Sequence, residues 1–349
     1  VVNTALNDLG NCQEIPALQI GTTLTPGHGA GMDPAIGRKA ALEDANRLRD
    51  FLGANDIVFL VAGFGKGTGT GATPEIGLLA KELGALTFAF VTTPFAFERR
   101  CHHDIAAQGL EEIKERVDAW IPLSNQRLFD PELGPLKYQA ALDYMNEAVL
   151  AAIRGLVEVL HQPGPMSLDL ADLRTIFKGS GRAVFALGAG KGESRVADTV
   201  RGLTKYPFLQ DARVESARSV LFSLVGGTDL GSQEVDQLAT EIGRLTGSDS
   251  NKIAQSIHPD DSLQGELRAM LLAAGMGEAA EPAPEFGLFG ERGAGVRGME
   301  LPLLRGSSHA ARGARSGGEG ELSLSQLDST DVPTYIRRAK NGPLGRGQG

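Results

Sequence analysis

The chain has 349 residues, of which 42% are hydrophobic and 5% aromatic, and this length suits about two folded domains. Its formal net charge of −9 gives no electrostatic support for a nucleic-acid partner, because the phosphate backbone attracts basic surfaces. The presence of only two cysteines argues against a disulfide framework, and without a signal peptide or an apolar run of ~20 residues we expect a cytoplasmic protein with no direct membrane insertion.

The first part of the chain alternates strand and helix patterns, which predicts a doubly wound α/β domain. The opening residues, Val1 to Thr4, read as the end of a strand. After them we expect an amphipathic helix at 38–52, a buried strand at 56–62, a helix at 74–83, a strand at 85–91, a helix at 104–117 and a strand end at 119–125.

A glycine-rich run, residues 63–71 (GFGKGTGTG), stands between the strand at 56–62 and the helix at 74–83. Glycines let the backbone approach a ligand closely, and a helix N-terminus offers free N–H groups to an anion. The run therefore predicts a phosphate-binding loop and a nucleotide ligand. Lys66 either adds a cation near the phosphates or obstructs the tight loop. The candidate binding residues are Gly65, Lys66, Gly67, Thr68, Gly69, Thr70 and Gly71.

Two other nucleotide folds fit this run less well. The Walker pattern GxxxxGK[ST] is absent, which argues against a P-loop NTPase. A GxGxxA match at Gly67, Gly69 and Ala72 suggests a dinucleotide-binding unit, but that fold expects an acidic residue after the next strand, and none occurs before Glu98. A nicotinamide-dependent enzyme thus stays a distant alternative, which NAD binding without GTP binding would revive.

The second part of the chain begins with a long apolar-periodic stretch, residues 138–160, which predicts one helix that ends before Pro163-Gly-Pro165. A second α/β domain follows, with strands at 183–188, 219–225 and 267–273 and helices at 195–205 and 233–245. The Leu, Ala and Met content of 267–273 would also suit a helix. Beyond residue 277, Gly, Pro, Arg, Ser and Glu dominate, which predicts a flexible linker.

Several motifs, in collinear order over roughly residues 1–276, resemble those of the tubulin/FtsZ GTPases. The segment GKGTGTG at 65–71 is similar to the GGGTGTG signature of this family, and residues 84–98 are close to its FtsZ branch. Further similarities lie at 27–38, 168–173, 225–230 and 260–263. The resemblance implies a Rossmann-like parallel-sheet GTPase domain (1–137), a central connecting helix (138–162), a C-terminal activation and polymerisation domain (163–276), a disordered linker (277–326) and a partner-binding peptide and tail (327–349).

The same resemblance implies the function and most of the site. It implies a GTPase that polymerises head to tail into the mid-cell ring of bacterial division, with GTP or GDP and Mg²⁺ as ligands and K⁺ as a further candidate. Gly29, Ala30 and Gly31 would form a loop that senses the γ-phosphate, and Asn146 would read guanine. Further nucleotide-binding positions carried over from the family are Pro94, Glu98 beside the ribose, Arg100 in a basic run and Asn125 in a sugar-contacting turn.

Asp169 and Asp172 are i,i+3 neighbours, which share one face if the segment starts a helix. By resemblance they are the catalytic acids, which complete the site of the neighbouring subunit in the polymer. The residues alone also permit a simpler role, because an aspartate near a helix start is a favourable cap. Ser167 stands where the family has asparagine.

Several departures from the family pattern support an alternative, a non-hydrolysing or truncated paralogue that acts as a scaffold. Lys66 replaces a glycine, Leu142 an aromatic residue that stacks on the base, and His102 part of the basic run. The strand, glycine loop and helix that precede the family's second strand are not seen before Val1, which leads us to expect a fragment or a mis-started gene. The pair His102–His103 is not expected to bind metal, since no further ligands have zinc-like spacing.

Near the end of the chain, residues 327–338 resemble the short peptide by which the family binds membrane-tethering division proteins. Such a peptide would fold into a groove through a few apolar anchors. The alternative is a chance cluster in a tail. The residues that fit the pattern are Asp331, Val332, Pro333, Tyr335, Ile336, Arg337 and Arg338.

Overall fold

The structure is a computed structural model that describes residues 1–10, 15–134, 136–161, 166–210, 212–247 and 253–276. The predicted linker at 277–326 and the predicted partner-binding peptide, from Asp331 to Arg338, lie outside the described residues. Within the described ranges, no helix combines the length and the apolar character needed to cross a membrane.

Strands and helices alternate along the chain. The strands are β1 (Val2–Asn3), β2 (Leu18–Gln19), β3 (Ile57–Gly63), β4 (Leu86–Thr93), β5 (Ala119–Ser124), β6 (Gly181–Lys191), β7 (Ser219–Gly226), β8 (Ile253–Pro259) and β9 (Glu266–Ala274). The helices are α1 (Leu6–Gly10), α2 (Pro34–Glu43), α3 (Ala45–Leu52), α4 (Gly67–Glu82), α5 (Arg100–Ile113), α6 (Tyr138–His161), α7 (Leu170–Phe177), α8 (Arg195–Thr204) and α9 (Ser232–Thr246).

Seven strands form one sheet in the order β3-β4-β5-β6-β9-β7-β8. Strands β3 to β6 are parallel, as the alternating pattern predicts, whereas β9 is antiparallel to both of its neighbours. The short strands β1 and β2 pair in a separate two-stranded parallel sheet. The predicted α/β fold is therefore confirmed, and β9 is a strand and not the helix that its composition would also allow.

Strand β3 differs from its prediction as a buried strand. Six of its seven residues, Ile57 to Ala62, are only partly buried, while Leu86 to Val91 of the adjacent β4 are fully buried. The reason is its place in the sheet, since β3 is an edge strand with one neighbour and β4 has a neighbour on each side. An all-apolar segment read from sequence cannot distinguish these two positions.

Three predicted helices have wrong boundaries. The helix predicted at 38–52 is two helices, which meet at Asp44, and the first begins at Pro34 behind the cap Asp33. Asp44 interrupts it because its carboxylate accepts a hydrogen bond from the Gly21 backbone N–H at 2.7 Å. Helix α4 begins at Gly67 instead of at residue 74, and α5 begins at Arg100 instead of at residue 104.

Helix α6 matches its prediction closely, running from Tyr138 to His161. Its buried face packs into the main hydrophobic core, which also includes side chains of β4, β5, β6, β7 and β9. One continuous core therefore joins the nucleotide-binding half predicted from sequence to the second half. Strand β8 was not predicted.

A buried arginine fixes the second half of the chain. Arg195, at the start of α8, donates hydrogen bonds to both carboxylate oxygens of Glu234 and to Asp229 Oδ2, each at 2.6 Å. These bonds lower the pKa of both carboxyl groups. The cluster connects α8, the loop after β7 and α9. Arg195 can be buried here because the two carboxylates compensate its positive charge and accept its hydrogen bonds.

Candidate nucleotide site and acid pair

The glycine run forms the turn between β3 and α4. Gly65 has a φ of +103°, and a Cβ at this position would lie 2.7 Å from Pro94 Cγ and 3.0 Å from the His102 carbonyl oxygen. Only glycine suits such a conformation without strain. The Gly65 N–H donates a hydrogen bond to the buried hydroxyl of Thr70 at 3.0 Å, and this bond stabilises the conformation of the loop.

Lys66 is the residue before the first turn of α4. Its backbone is extended, with φ −131° and ψ −173°, a conformation open to any residue, and its side chain is exposed. It therefore does not obstruct the loop, and within the described part of the chain it makes no ion pair. An exposed ammonium at the N-terminus of α4 adds positive potential where the helix already offers free N–H groups.

The loop Gly29 to Gly31 lies directly against the start of α4. A Cβ at Gly67 would lie 2.7 Å from Ala30 Cβ and 3.0 Å from the Asp33 backbone nitrogen. Gly29 and Gly31 have φ of +84° and +57°. The structure thus brings together two predicted phosphate-facing loops that are more than thirty residues apart in sequence.

The other nucleotide-binding residues predicted at the sheet follow strands β4 and β5. Pro94 packs on Gly65, and Glu98 accepts a hydrogen bond from the Phe95 N–H at 2.9 Å and faces His102 Nδ1 at 3.1 Å. Arg100 is exposed at the start of α5, and Asn125, partly buried, begins the 3₁₀ turn Asn125–Phe129 after β5. The carboxyl ends of β3, β4 and β5 therefore converge on one edge, where parallel sheets bind ligands.

Asn146 is only 6% exposed on α6, and its side-chain amide has no hydrogen-bond partner among the described residues. The amide nitrogen and oxygen remain accessible to water, and a purine edge would offer such an amide both a donor and an acceptor. This observation suits the predicted role of Asn146 in reading guanine.

The two aspartates form a reciprocal cap at the start of α7. Asp169 Oδ1 accepts from the Asp172 N–H at 2.8 Å, and Asp172 Oδ2 accepts from the Asp169 N–H at 3.0 Å. The capping role that the residues alone suggest is thus present. Each carboxylate keeps one oxygen that makes no hydrogen bond in the described residues, and both side chains are exposed, so both can act on a further group.

Helix α7 lies at the other end of the sheet from the glycine run. Arg174 of α7 donates to the carbonyl of Gly84 at 2.8 Å and to that of Asp56 at 3.2 Å. These two residues precede β4 and β3, whereas the glycine run follows β3. Seven strand residues span roughly 23 Å, so the acids and the glycine run of one chain do not meet at one phosphate.

Sequence reasoning missed the structural roles of three residues that shape these sites, including His102, which it had placed only in the family's basic run and in a pair not expected to bind metal. Thr4 is fully buried, and its hydroxyl lies 2.6 Å from that of Thr68, which ties the end of β1 to the start of α4. His102 Nδ1 lies 3.1 Å from a carboxylate oxygen of Glu98. The i,i+4 spacing of the two residues could have predicted this contact from the sequence. Arg174 anchors the acid-bearing helix, and no sequence signal pointed to its two carbonyl partners.

Known protein families match both halves of the chain. The Tubulin/FtsZ family, GTPase domain, matches residues 1–131, and the FtsZ family, C-terminal domain, matches residues 181–277. The chain is 32% identical over 335 residues to the cell division protein FtsZ of Coxiella burnetii, covering 96% of this chain and 80% of that protein. The chain belongs to the FtsZ family. It is also 32% identical to the FtsZ of Pseudomonas putida over 360 residues, 96% of this chain and 88% of that one.

Solved structures show the family fold. An empty FtsZ dimer of M. jannaschii matches with a TM-score of 0.71 at 28% identity, covering 84% of this chain and 86% of that chain. A tryptophan-to-tyrosine mutant of M. jannaschii FtsZ matches with a TM-score of 0.68 at 31% identity, over 74% and 77% of the two chains. The predicted membership of the tubulin/FtsZ family and the predicted fold are thereby confirmed.

Proposed function

We propose that this chain binds GTP and polymerises head to tail into filaments of the bacterial division ring, with GTP hydrolysed between subunits. The observation that carries the proposal is the separation of the glycine run from the acid pair by the length of β3. A second copy stacked along the strand direction brings its Asp169 and Asp172 to the first copy's glycine run. A contact between two different surfaces leaves both filament ends open. Relatives named cell division protein FtsZ support this function.

The residues of the site divide the chemistry between the two copies. Backbone N–H groups at the start of α4 and in the loop Gly29 to Gly31 hold the phosphates of GTP, assisted by the positive charge of Lys66 and Arg100. Asp169 and Asp172 of the second copy orient a water molecule for attack on the γ-phosphorus. The bond from that phosphorus to the β,γ-bridging oxygen breaks, and GDP and phosphate result. Loss of the γ-phosphate then weakens the contact.

Cations and location are also parts of this proposal. Among the residues that the structure describes, no three His, Cys, Asp or Glu side chains cluster as a metal site. We propose Mg²⁺, with K⁺ as a further candidate, held mainly by the phosphates of GTP; a bound cation would neutralise phosphate charge. We assign the protein to the mid-cell ring, where residues Asp331 to Arg338 would bind membrane-tethering division proteins.

The test of this proposal is GTP turnover per subunit as a function of protein concentration, with Mg²⁺ and K⁺ present. A sharp rise above a threshold concentration is expected, because the active site forms only between subunits. Turnover that is independent of concentration would contradict a shared site. GTP binding and assembly without turnover would favour the non-hydrolysing scaffold, which the departures at Lys66, Leu142 and Ser167 first suggested.

Replacing Asn146 with leucine should weaken GTP binding at least about fivefold, because a lost hydrogen-bonding pair to a base costs about 1–3 kcal/mol. ATP binding should change by less than about twofold. Titration with fluorescent GTP and ATP analogues below the assembly threshold measures both. The matched control is Gln139→Leu on the same helix, whose amide already bonds Asp143 and which is exposed. Equal losses for both nucleotides would contradict guanine reading by Asn146.

Replacing Arg174 with alanine should lower turnover at least about tenfold without a change in GTP affinity, because the acid-bearing helix loses its two carbonyl anchors. Arg174→Lys should restore part of the activity, since an ammonium can still donate to one carbonyl. Steady-state turnover and nucleotide titration separate these effects. Arg244→Ala, which removes only an exposed pair with Glu241, is the control. A fall in GTP affinity would show that Arg174 supports the fold generally and does not position the acids.

A further inference from the structure

Two arginines flank the point where β9 ends. Arg218 stands directly before β7 and Arg182 lies at the start of β6, and these two strands are the neighbours of β9 in the sheet. The Arg218 N–H donates to the Ala274 carbonyl at 2.9 Å, and the Gly275 N–H donates to the Arg182 carbonyl at 3.0 Å. Neighbouring strands lie about 4.8 Å apart, so the backbones of the two arginines are about 10 Å apart, one on each side of β9.

The side chain of Arg218 runs alongside the residue that follows β9. A Cβ placed on Gly275 would lie 2.8 Å from Cβ, 3.1 Å from Cγ and 3.2 Å from Cδ of Arg218. The Arg182 guanidinium lies 5.9 Å from the centre of the Trp120 ring, a contact that leaves its charge in place. The chain therefore passes between two positive charges as it leaves the sheet.

Two further cations extend this group, which we call the basic patch and define as Lys178, Arg182, Arg213 and Arg218. Lys178 follows α7, four residues before Arg182, and Arg213 lies five residues before Arg218. Lys178, Arg213 and Arg218 are exposed, and none of them forms an ion pair with another described residue. Glu215 is the one acidic residue between Arg213 and Arg218. The basic patch thus has a surplus of positive charge, in a chain whose net charge is −9.

The sequence that follows the basic patch is acidic. Residues 277–291 lie outside the described residues, and their sequence, GEAAEPAPEFGLFGE, contains four glutamates and no lysine or arginine. Glu278 and Glu281 come three and six residues after Gly275, so the chain cannot carry them farther than about 11 and 22 Å from it. The two prolines of this stretch restrict its backbone, which lowers the entropy lost when such a segment is bound.

We propose that the basic patch is a docking surface for the first part of this chain's own tail, the acidic segment 277–285. The place where the chain leaves the sheet and the complementary charges carry this inference, which is independent of GTP binding and of assembly. One exposed ion pair contributes little by itself. The covalent connection, however, keeps the glutamates beside the patch at a millimolar effective concentration, so several weak pairs act together. Docking fixes the direction in which the rest of the tail leaves the folded part of the chain.

The experiment measures how fast chymotrypsin cuts the full chain after Phe286, the residue that follows the acidic segment. No GTP is added, and each rate is divided by that of a free peptide with the same tail sequence. At low salt the unmodified chain should be cut at least about fivefold more slowly than its peptide, because cutting requires the undocked segment. In 1 M NaCl the two rates should agree within about twofold, since the Debye length falls to about 3 Å.

Charge reversal on each side tests the pairing. The patch variant, Lys178→Glu with Arg218→Glu, and the tail variant, Glu278→Lys with Glu281→Lys, should each reduce the protection to less than about twofold, because like charges repel. The variant that combines all four changes should regain the protection, since the charges are again opposite. The matched control is Lys39→Glu with Lys191→Glu, which changes the net charge as the patch variant does. Lys39 is exposed on α2, and Lys191 is exposed at the opposite end of β6.

Each outcome decides for or against this docking. Protection that both variants lose, the combined variant regains and the control keeps supports it. Equal rates for the unmodified chain and its peptide overturn it, as does protection that both variants keep or that the combined variant fails to regain. Protection that rises with protein concentration also overturns it, because the tail of a second copy would then be bound.

A second measurement separates the tail from a lipid surface. Vesicles of phosphatidylglycerol that bind the unmodified chain but not the patch variant, with no difference in tail cutting, would assign the patch to lipid headgroups and overturn the proposal. Far-UV circular dichroism verifies that the patch variant is folded. The tail variant leaves every described residue unchanged, so it decides the question even if the patch variant does not fold. GTP turnover enters none of these measurements, so failure of the proposed function would leave the result intact.

Discussion

Asp172→Asn should reduce GTP turnover at least about 100-fold, within the range that an acid or base group contributes to catalysis. GTP affinity should change by less than about twofold, because Asp172 lies at the other end of the strands from its own glycine run. Asparagine keeps an oxygen that can accept the Asp169 N–H, so the reciprocal cap of α7 persists. Alanine should also abolish turnover, but it removes the cap at a cost of about 1 kcal/mol in stability.

Turnover above the assembly threshold and nucleotide titration below it measure the two quantities separately. Asp198→Asn is the matched control: Asp198 is a partly exposed aspartate on α8 that bonds Ser194 and Arg201. It should leave turnover unchanged. Parallel losses of affinity and turnover in Asp172→Asn would mean that Asp172 serves its own chain's site or its fold, and the shared site would have to be abandoned.

Gly71→Ala should destabilise the protein by about 3 kcal/mol, the upper range for forcing an extra methyl group into a packed contact. The added Cβ would overlap the Pro34 carbonyl oxygen and lie 2.7 Å from the Arg38 backbone nitrogen. Both obstacles are backbone atoms of α2, so only a shift of the whole helix can relieve the clash. GTP binding should fall too, because this contact holds the loop Gly29 to Gly31 against the start of α4. Chemical denaturation and nucleotide titration give the two values.

Gly243→Ala provides the control for this prediction. Gly243 also lies inside a helix, α9, but a Cβ there meets no atom within 4 Å. Alanine has the higher helix propensity, so this variant should be more stable by about 0.5–1 kcal/mol. If Gly71→Ala unfolded at the same denaturant concentration as Gly243→Ala, the close packing of α2 on α4 would be refuted.

The glycines at the start of α4 explain why this helix was misjudged from sequence. Gly67, Gly69 and Gly71 have low helix propensity, which predicts a loop up to residue 74. They are nevertheless helical, because α4 approaches Ala30, Gly63 and Pro34 so closely that no side chain fits. The low helix propensity of these glycines was therefore outweighed by close packing against Ala30 and Pro34, which are distant in the chain.

Sequence alone determined the order of most strands and helices, the extent of α6 and the presence of two glycine-rich loops. These features follow from periodicity and backbone chemistry, which act over a few neighbouring residues. The family motifs in collinear order identified the tubulin/FtsZ fold, because each motif preserves such a local pattern. They also singled out Asp169 and Asp172, but the residues by themselves could not choose between a cap and a catalytic pair.

Only the tertiary structure decided where these parts lie relative to one another. It placed β3 at a sheet edge, joined the loop Gly29 to Gly31 to the start of α4, and stacked the rings of Phe95 and Phe97 at the same end. It also anchored α7 through Arg174 at the opposite end. These relations depend on contacts between residues as many as 118 positions apart, which no local pattern encodes. The proposed need for a second subunit to complete the site follows from that long-range geometry.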